Sequence, residues 1–169
     1  MPNASHWFVI YTKNLNEKKV AGALERANIV HYAPFYTSLR QWSDRKKKIK
    51  VALIPRVIFV NTTKAELAKV YEIPGVTGIL RQEGKPAKVK PMEIENLKIY
   101  LSQENFNPNQ GYEFIANETV EIIEGPFKGI VAQARKEMGN YRILIEISVI
   151  GVNYSLSIPR NQVKKQKNQ

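Results

Sequence analysis

The residues best placed by type and spacing to do chemistry in this chain are cations. Arg40, Arg45, Lys46, Lys47, Lys48 and Lys50 fall in one short stretch, with Trp42 among them and only Asp44 against them. Clustered lysines and arginines neutralise phosphates and release counterions, and an exposed indole stacks on a base of any identity. The chemistry such a stretch offers is non-covalent recognition of a polyanion. A charge run is also what an ordinary solvated loop looks like, and the sequence leaves that alternative open. No catalytic set accompanies it. His6 and His31 are the only histidines, each within a strand-like run and read as structural; Asp44 is the only aspartate, and cysteine is absent. Without a Gly-rich phosphate loop, a Cys-His pair or metal-ligand spacing, neither cofactor nor metal is expected, and a binder is expected rather than an enzyme.

The wider charge distribution points the same way. The 169 residues carry 26 lysines and arginines against 15 acidic residues, a net charge of +11. Splitting the chain after Tyr112 puts +9 in the first part and +2 in the second. A basic excess concentrated in one part is an electrostatic footprint for a polyanion, most often nucleic acid, with solubility alone the alternative that charge leaves open. The N-terminal run lacks the pattern of a signal peptide, no apolar run is long enough to span a bilayer, and the absence of cysteine fits a reducing compartment. A cytoplasmic monomer with no membrane partner is expected.

Several elements must position the basic stretch. His6–Thr12 is a β-branched and aromatic run that reads as a buried strand. Val20, Ala23, Leu24 and Ala27 recur at helical spacing after Asn14 and Asn16, either of which can cap the helix, and Asn28 stops it. Extended structure returns over Ile29–Tyr36, where Pro34 suggests an edge. Ser43-Asp44 suits a turn, making Leu39–Lys50 the exposed tip of a hairpin. Val57–Val60 reads as a central strand, and Lys64–Glu72 as a helix with Leu67, Val70 and Tyr71 inward. Pro74-Gly75 turns into a strand over Val76–Leu80, Lys85–Lys90 reads as a polar loop, and Pro91 starts a last helix.

The polar stretch at 104–112 reads as a linker between a domain over residues 1–103 and a second over 113–169. In the second, Val120 and Ile122 alternate with charge before Gly125-Pro126-Phe127-Lys128-Gly129, two glycines around a proline that permit a tight bend between strands. Four strand candidates follow the linker, with turns at Met138-Gly139-Asn140 and Ile150-Gly151. About fifty residues of such strands suit a small SH3-like barrel, and the Ile/Val density of Ile143–Ile150 argues against a helical alternative.

Glu118–Gly129 resembles the KOW motif, and the ordered set of motifs resembles the NusG family along nearly the whole chain. Trp7-Phe8-Val9-Ile10-Tyr11-Thr12 is similar to the family's opening strand, Ala33-Pro34 to its mid-domain proline, and Ile54-Pro55-Arg56-Val57-Ile58-Phe59-Val60 to its P-G-Y-V-F-V strand. Pro74-Gly75-Val76 is similar to its P-G-V turn, and Tyr154-Ser155-Leu156 with Asn161-Gln162-Val163 to its final hairpin and closing strand. The implied fold is α+β: an N-terminal α/β sandwich with an antiparallel sheet and flanking helices, plus a small C-terminal SH3-like β-barrel. Arg56 departs from the family by replacing a glycine, and the Arg40–Lys46 hairpin looks more like the specialised RfaH and UpxY-type paralogues.

The resemblance implies an antitermination and elongation factor, read here as one specialised for selected operons such as polysaccharide clusters. The alternatives are the general NusG factor and a ribosome-associated KOW RNA-binding protein. It also implies that Trp7, Phe35, Tyr36, Ile54, Val57 and Phe59 meet the clamp helices of the largest RNA polymerase subunit. Arg40, Trp42, Arg45, Lys46, Lys47, Lys48 and Lys50 would face non-template DNA near the transcription bubble. Phe127 and Ile150 of the KOW domain would recruit a ribosomal protein or Rho.

Overall fold

The computed structural model describes residues 4–104, 106, 108 and 116–166, so most of the expected linker lies outside the described residues. The chain divides into two compact units, Met1–Pro91 and Met92–Gln169.

In the first unit, β1 (His6–Thr12) is the middle of an antiparallel sheet ordered β2 (Val30–Tyr32), β5 (Val57–Thr62), β1, β6 (Val76–Ile79), with β9 (Lys88–Val89) also pairing with β1. Phe8 and Ile10 sit opposite Val60 and Ile58 in the β1–β5 register. Those four side chains form one core with Val20 and Leu24 of α1 (Glu17–Arg26) and Leu67 and Val70 of α2 (Leu67–Tyr71). Alternation sends Trp7, Val9, Val57 and Phe59 to the other face, where they too are buried. A strand buried on both faces reads as a continuous apolar run, which is why Trp7–Tyr11 and Val57–Val60 show no polar alternation.

Helix α1 ends as Asn28 requires. Asn28 takes φ 54°, the Asn28 N–H donates to the Glu25 carbonyl at 3.0 Å, and the Ile29 N–H donates to the Leu24 carbonyl at 2.9 Å. That is a left-handed cap of the Schellman kind, which asparagine tolerates after glycine best. At the other end Asn16 holds the cap position, but its side-chain amide donates to the Asn14 carbonyl and caps no helical N–H.

Helix α2 is shorter than its apolar spacing predicts. The Glu66 carboxylate accepts from the hydroxyls of Thr62 and Thr63, which ties Thr63–Glu66 into a turn ahead of the helix. Tyr71, expected inward, is exposed. The Lys85–Lys90 stretch, expected to be a loop, contains β8 (Lys85–Pro86), paired with β7 (Arg81–Gln82), and then β9.

In the second unit, α3 (Pro91–Leu101) buries Ile94, Leu97 and Tyr100. The Tyr100 ring stacks on Tyr154 with centroids 5.3 Å apart, both within the second unit. The sheet runs β13 (Val152–Pro159), β12 (Asn140–Ile147), β11 (Val131–Glu137), β10 (Glu118–Ile122), β14 (Val163–Lys165). The segment is therefore strands, as the Ile/Val density predicts.

The expected closed barrel is not seen. Among the described residues no ladder joins the edge strands β13 and β14, and the sheet stays open. Strand β13 ends in Pro159, which has no N–H to donate, and the 3-10 turn Arg160–Gln162 carries the chain away before β14 begins. The Gly125–Gly129 bend forms as its residues predict, with φ 85° and 86° at the two glycines and the Gly129 N–H donating to the Ile122 carbonyl at 2.7 Å.

Candidate nucleic-acid interface

Strands β3 (Phe35–Gln41) and β4 (Lys46–Ala52) form a separate two-stranded hairpin, in register from Phe35 opposite Ala52 to Gln41 opposite Lys46. The Trp42 N–H donates to the Arg45 carbonyl at 2.8 Å, closing the tip around Ser43-Asp44 as predicted. Residues directly opposite in an antiparallel pair share a face, so the register sorts the cations. Arg40 and Lys47 lie on one face, and Lys46, Lys48 and Lys50 on the other, where Leu39 faces Lys48. All are exposed, as are Arg45 and Trp42, the indole at 57 %.

Every sequence-predicted nucleic-acid residue is thus brought onto one projecting element, with Asp44 its only acidic residue. Among the described residues no salt bridge involves these cations. The electrostatics of the hairpin are unusual for a structure with no partner. Like charges directly opposite across a ladder destabilise a hairpin, as Arg40 and Lys47 do here, and on the other face Lys46, Lys48 and Lys50 follow one another along β4, in a two-stranded ribbon that no third strand supports. A strand of phosphates laid along either face would turn that repulsion into attraction.

The residues expected to meet polymerase are placed differently. Trp7, Ile54, Val57 and Phe59 are buried, Phe59 completely, while Phe35 and Tyr36 at the hairpin base are half-buried. Tyr32 stacks against Phe59 at 6.4 Å. The apolar run of β5 therefore forms packing beneath the surface, and Phe35 and Tyr36 are the members that reach it. In the second unit Phe127 is buried at the wall of a 340 Å³ cavity shared with Pro126, Leu156 and Ile158. Ile150 is half-buried on the 3-10 turn Ser148–Ile150 and does not line that cavity.

Arg56 shows why its position favours glycine in the family it resembles. It takes φ 63°, and its N–H donates to the buried Glu17 carboxylate at 2.7 Å while its carbonyl accepts from the Thr12 N–H at 2.9 Å. The left-handed turn is thus fixed by two hydrogen bonds to the start of α1 and the end of β1.

Neither histidine joins a cluster that could hold a metal, and no such cluster occurs among the described residues. The His6 and His31 imidazoles bond through Nδ1 to the carbonyls of Ala4 and Ile29. Two further contributors to the surface charge were not singled out by sequence, Lys85 and Lys88, because the stretch holding them reads as a loop; their placement beside His6 becomes visible only with β9 in place. Among the described residues no helix is long and apolar enough to cross a membrane.

Comparison with known proteins converges on one family. The family model described as transcription termination factor NusG matches residues 5–98, more than half of the chain. A transcription termination/antitermination protein NusG of Rickettsia bellii is 28% identical over 173 residues, covering 94% of this chain and 89% of its own. The protein of the same name from Bacillus subtilis is 22% identical, with 95% and 98% covered. A solved structure of Thermotoga maritima NusG aligns at 20% identity over 96% of this chain and 98% of that one, with a TM-score of 0.49.

Proposed function

The chain belongs to the NusG family of non-catalytic transcription factors, and from that premise we propose that it is a general elongation and antitermination factor that binds RNA polymerase and suppresses pausing or termination. The observation that carries the reading is the length of the match. Curated NusG proteins correspond to 94–96% of this chain, so the likeness runs through both units rather than through one shared module.

Arg56 and the basic hairpin prompted an operon-specialised reading. The named relatives support the general factor instead. Lysines and arginines on a ribbon position a protein on phosphates, and phosphate contacts carry no sequence information by themselves. A general factor needs no more than that.

In the proposed mechanism, Phe35 and Tyr36 dock against the clamp helices of the largest polymerase subunit. Buried Trp7, Ile54, Val57 and Phe59 hold the surface they stand on. The β3–β4 hairpin then reaches exposed non-template DNA. A ligand that binds the elongating conformation better than the paused one shifts the population toward elongation, with no chemical step required. The cavity bordered by Phe127, together with Ile150, would receive a ribosomal protein or Rho.

The test is a single-round transcription assay with purified polymerase, scored for pause lifetime and terminator read-through, beside co-purification of the two proteins. Binding with shortened pauses supports the reading. Failure of the wild-type protein to bind polymerase, with ribosomes recovered in its place, would favour the ribosome-associated alternative.

A further inference from the structure

A second cationic feature of the first unit lies in a cavity of about 350 Å³ bordered by His6, Phe8, Lys64, Lys85, Pro86 and Lys88. Three separate stretches of chain build it. His6 opens β1 and pairs with Thr62 at the end of β5, from which Lys64 follows directly. Lys88 comes from β9, opposite Phe8 on the edge of β1, and Lys85 from the short β7–β8 hairpin. The floor is apolar, with buried Phe8 and half-buried Pro86, and the rim carries three ammonium groups with no carboxylate among the lining residues.

The hydrogen bonds of His6 hold one ammonium of the rim in place. A carbonyl oxygen only accepts, so the 2.9 Å contact of His6 Nδ1 with the Ala4 carbonyl places the imidazole proton on Nδ1. Nε2 is then an acceptor, and Lys88 Nζ donates to it at 3.0 Å. A neutral partner fixes the ammonium in place without cancelling its charge. Among the described residues no salt bridge engages Lys64, Lys85 or Lys88.

We propose that this pocket is a phosphate-binding site for one nucleotide unit, with phosphate oxygens on the lysine rim and the sugar or base against Phe8 and Pro86. Its volume falls in the range of small-molecule sites, and its make-up of an apolar floor with a few convergent polar groups is theirs too. Ammonium groups recognise phosphate as point charges and need no planar fork. The nucleotide unit arrives either free or as part of a single strand, and the two sources present the same chemistry to the pocket. The site is separate in sequence and in secondary structure from the β3–β4 hairpin, so its occupancy does not depend on the function proposed above.

The test is an amide chemical-shift titration of the full-length 15N-labelled protein with ATP and, separately, with a short single-stranded DNA. Three proteins are compared: the wild type, the pair Lys85→Gln with Lys88→Gln, and the hairpin triple Lys46→Gln, Lys47→Gln and Lys48→Gln. ATP is expected to shift amides around His6, Lys64 and Lys85–Lys88. The pocket pair should weaken ATP binding by about tenfold or more, as expected when charge-assisted hydrogen bonds are lost, and the hairpin triple should leave it unchanged. Shifts at the same amides with DNA but none with ATP would identify a strand as the source. If neither probe moves these amides, or the pocket pair binds both probes as wild type does with its spectrum otherwise native, the proposal is wrong.

Discussion

Arg40 lies directly across the β3–β4 ladder from Lys47. Two like charges in that relationship destabilise a hairpin relative to a neutral pair. The repulsion and the proposed DNA contact are therefore two consequences of one arrangement, and a single substitution moves them in opposite directions. Lys47→Glu should strengthen the hairpin, seen as slower amide exchange at Arg40, and weaken binding to single-stranded DNA. Improved hairpin protection with unchanged DNA affinity would remove the nucleic-acid role of this face.

Both faces together are tested by salt. Replacing Lys46, Lys47 and Lys48 together with glutamine removes cations from both faces of the exposed tip. Each phosphate contact on a single strand contributes about 0.7 to the slope of log affinity against log salt. Loss of three should flatten the slope by up to about 2 and leave polymerase co-purification intact. A wild-type slope in the triple variant would show that these lysines are ordinary solvated side chains.

Much of this interface was legible in the sequence because its signals are local. Ser43-Asp44 marks the tip, the cations flank it, and Asn28 and the Gly125–Gly129 bend need left-handed backbone where the sequence offers residues that tolerate it. The residues proposed to face polymerase are harder to assign. Val57-Ile58-Phe59-Val60 is a continuous apolar run, which signals a strand covered on both faces but does not say whether the cover over Phe59 is this chain's own packing or a partner. Lys85 and Lys88 were missed for a related reason. Strand β9 is two residues long and exists only by pairing with Trp7 and Phe8, some eighty positions away. Closure of the second sheet is likewise a matter of long-range register between β13 and β14, which no local pattern encodes.

Gly75, just before β6, and Gly78, within it, lie three positions apart and should respond differently to alanine. Gly75 takes φ 100°, and a Cβ there would meet Val20 Cγ2 at 2.8 Å, while Gly78 has open space and no unusual φ. Left-handed backbone strains an L residue by about 1–2 kcal/mol, before any clash with the core-buried Val20. Gly75→Ala should lower the denaturation midpoint of the first unit clearly, and Gly78→Ala should barely change it. Equal effects would mean that the Pro74-Gly75 turn is not what sets the approach of β6 to α1.

Glu17 is 5% exposed and accepts from the Arg56 N–H at 2.7 Å. Glu17→Ala leaves that part-buried N–H without its partner on a backbone segment already at positive φ, at a cost toward the lower end of the ~1–3 kcal/mol of an unsatisfied buried donor. The paired variant Glu17→Ala with Arg56→Gly should recover part of the loss, because glycine relaxes the left-handed turn while leaving the N–H unpaired. Thermal unfolding of the single and double variants separates the two contributions. No recovery in the double variant would show that the strain at Arg56 is negligible and that the hydrogen bond alone fixes the turn.

Tyr100 and Tyr154 stack at 5.3 Å, and burial raises the phenol of each above the ordinary tyrosine value, Tyr154 further because an ionised Tyr100 would lie beside it. The folded state therefore keeps protons that the unfolded chain releases near pH 10. The unfolded state binds fewer protons above that pH, so stability falls as pH rises. The contribution of these phenols is fully present below about pH 10 and is lost progressively above it. Tyr154→Phe removes the largest of these shifts while keeping the ring that stacks on Tyr100. The variant should unfold at higher pH than wild type in an alkaline titration followed by circular dichroism. Its tyrosinate absorbance should also lose the late-titrating component. A wild-type alkaline midpoint in the variant would mean that the stacked pair is hydrated, and that α3 does not hold against the sheet of the second unit through these two rings.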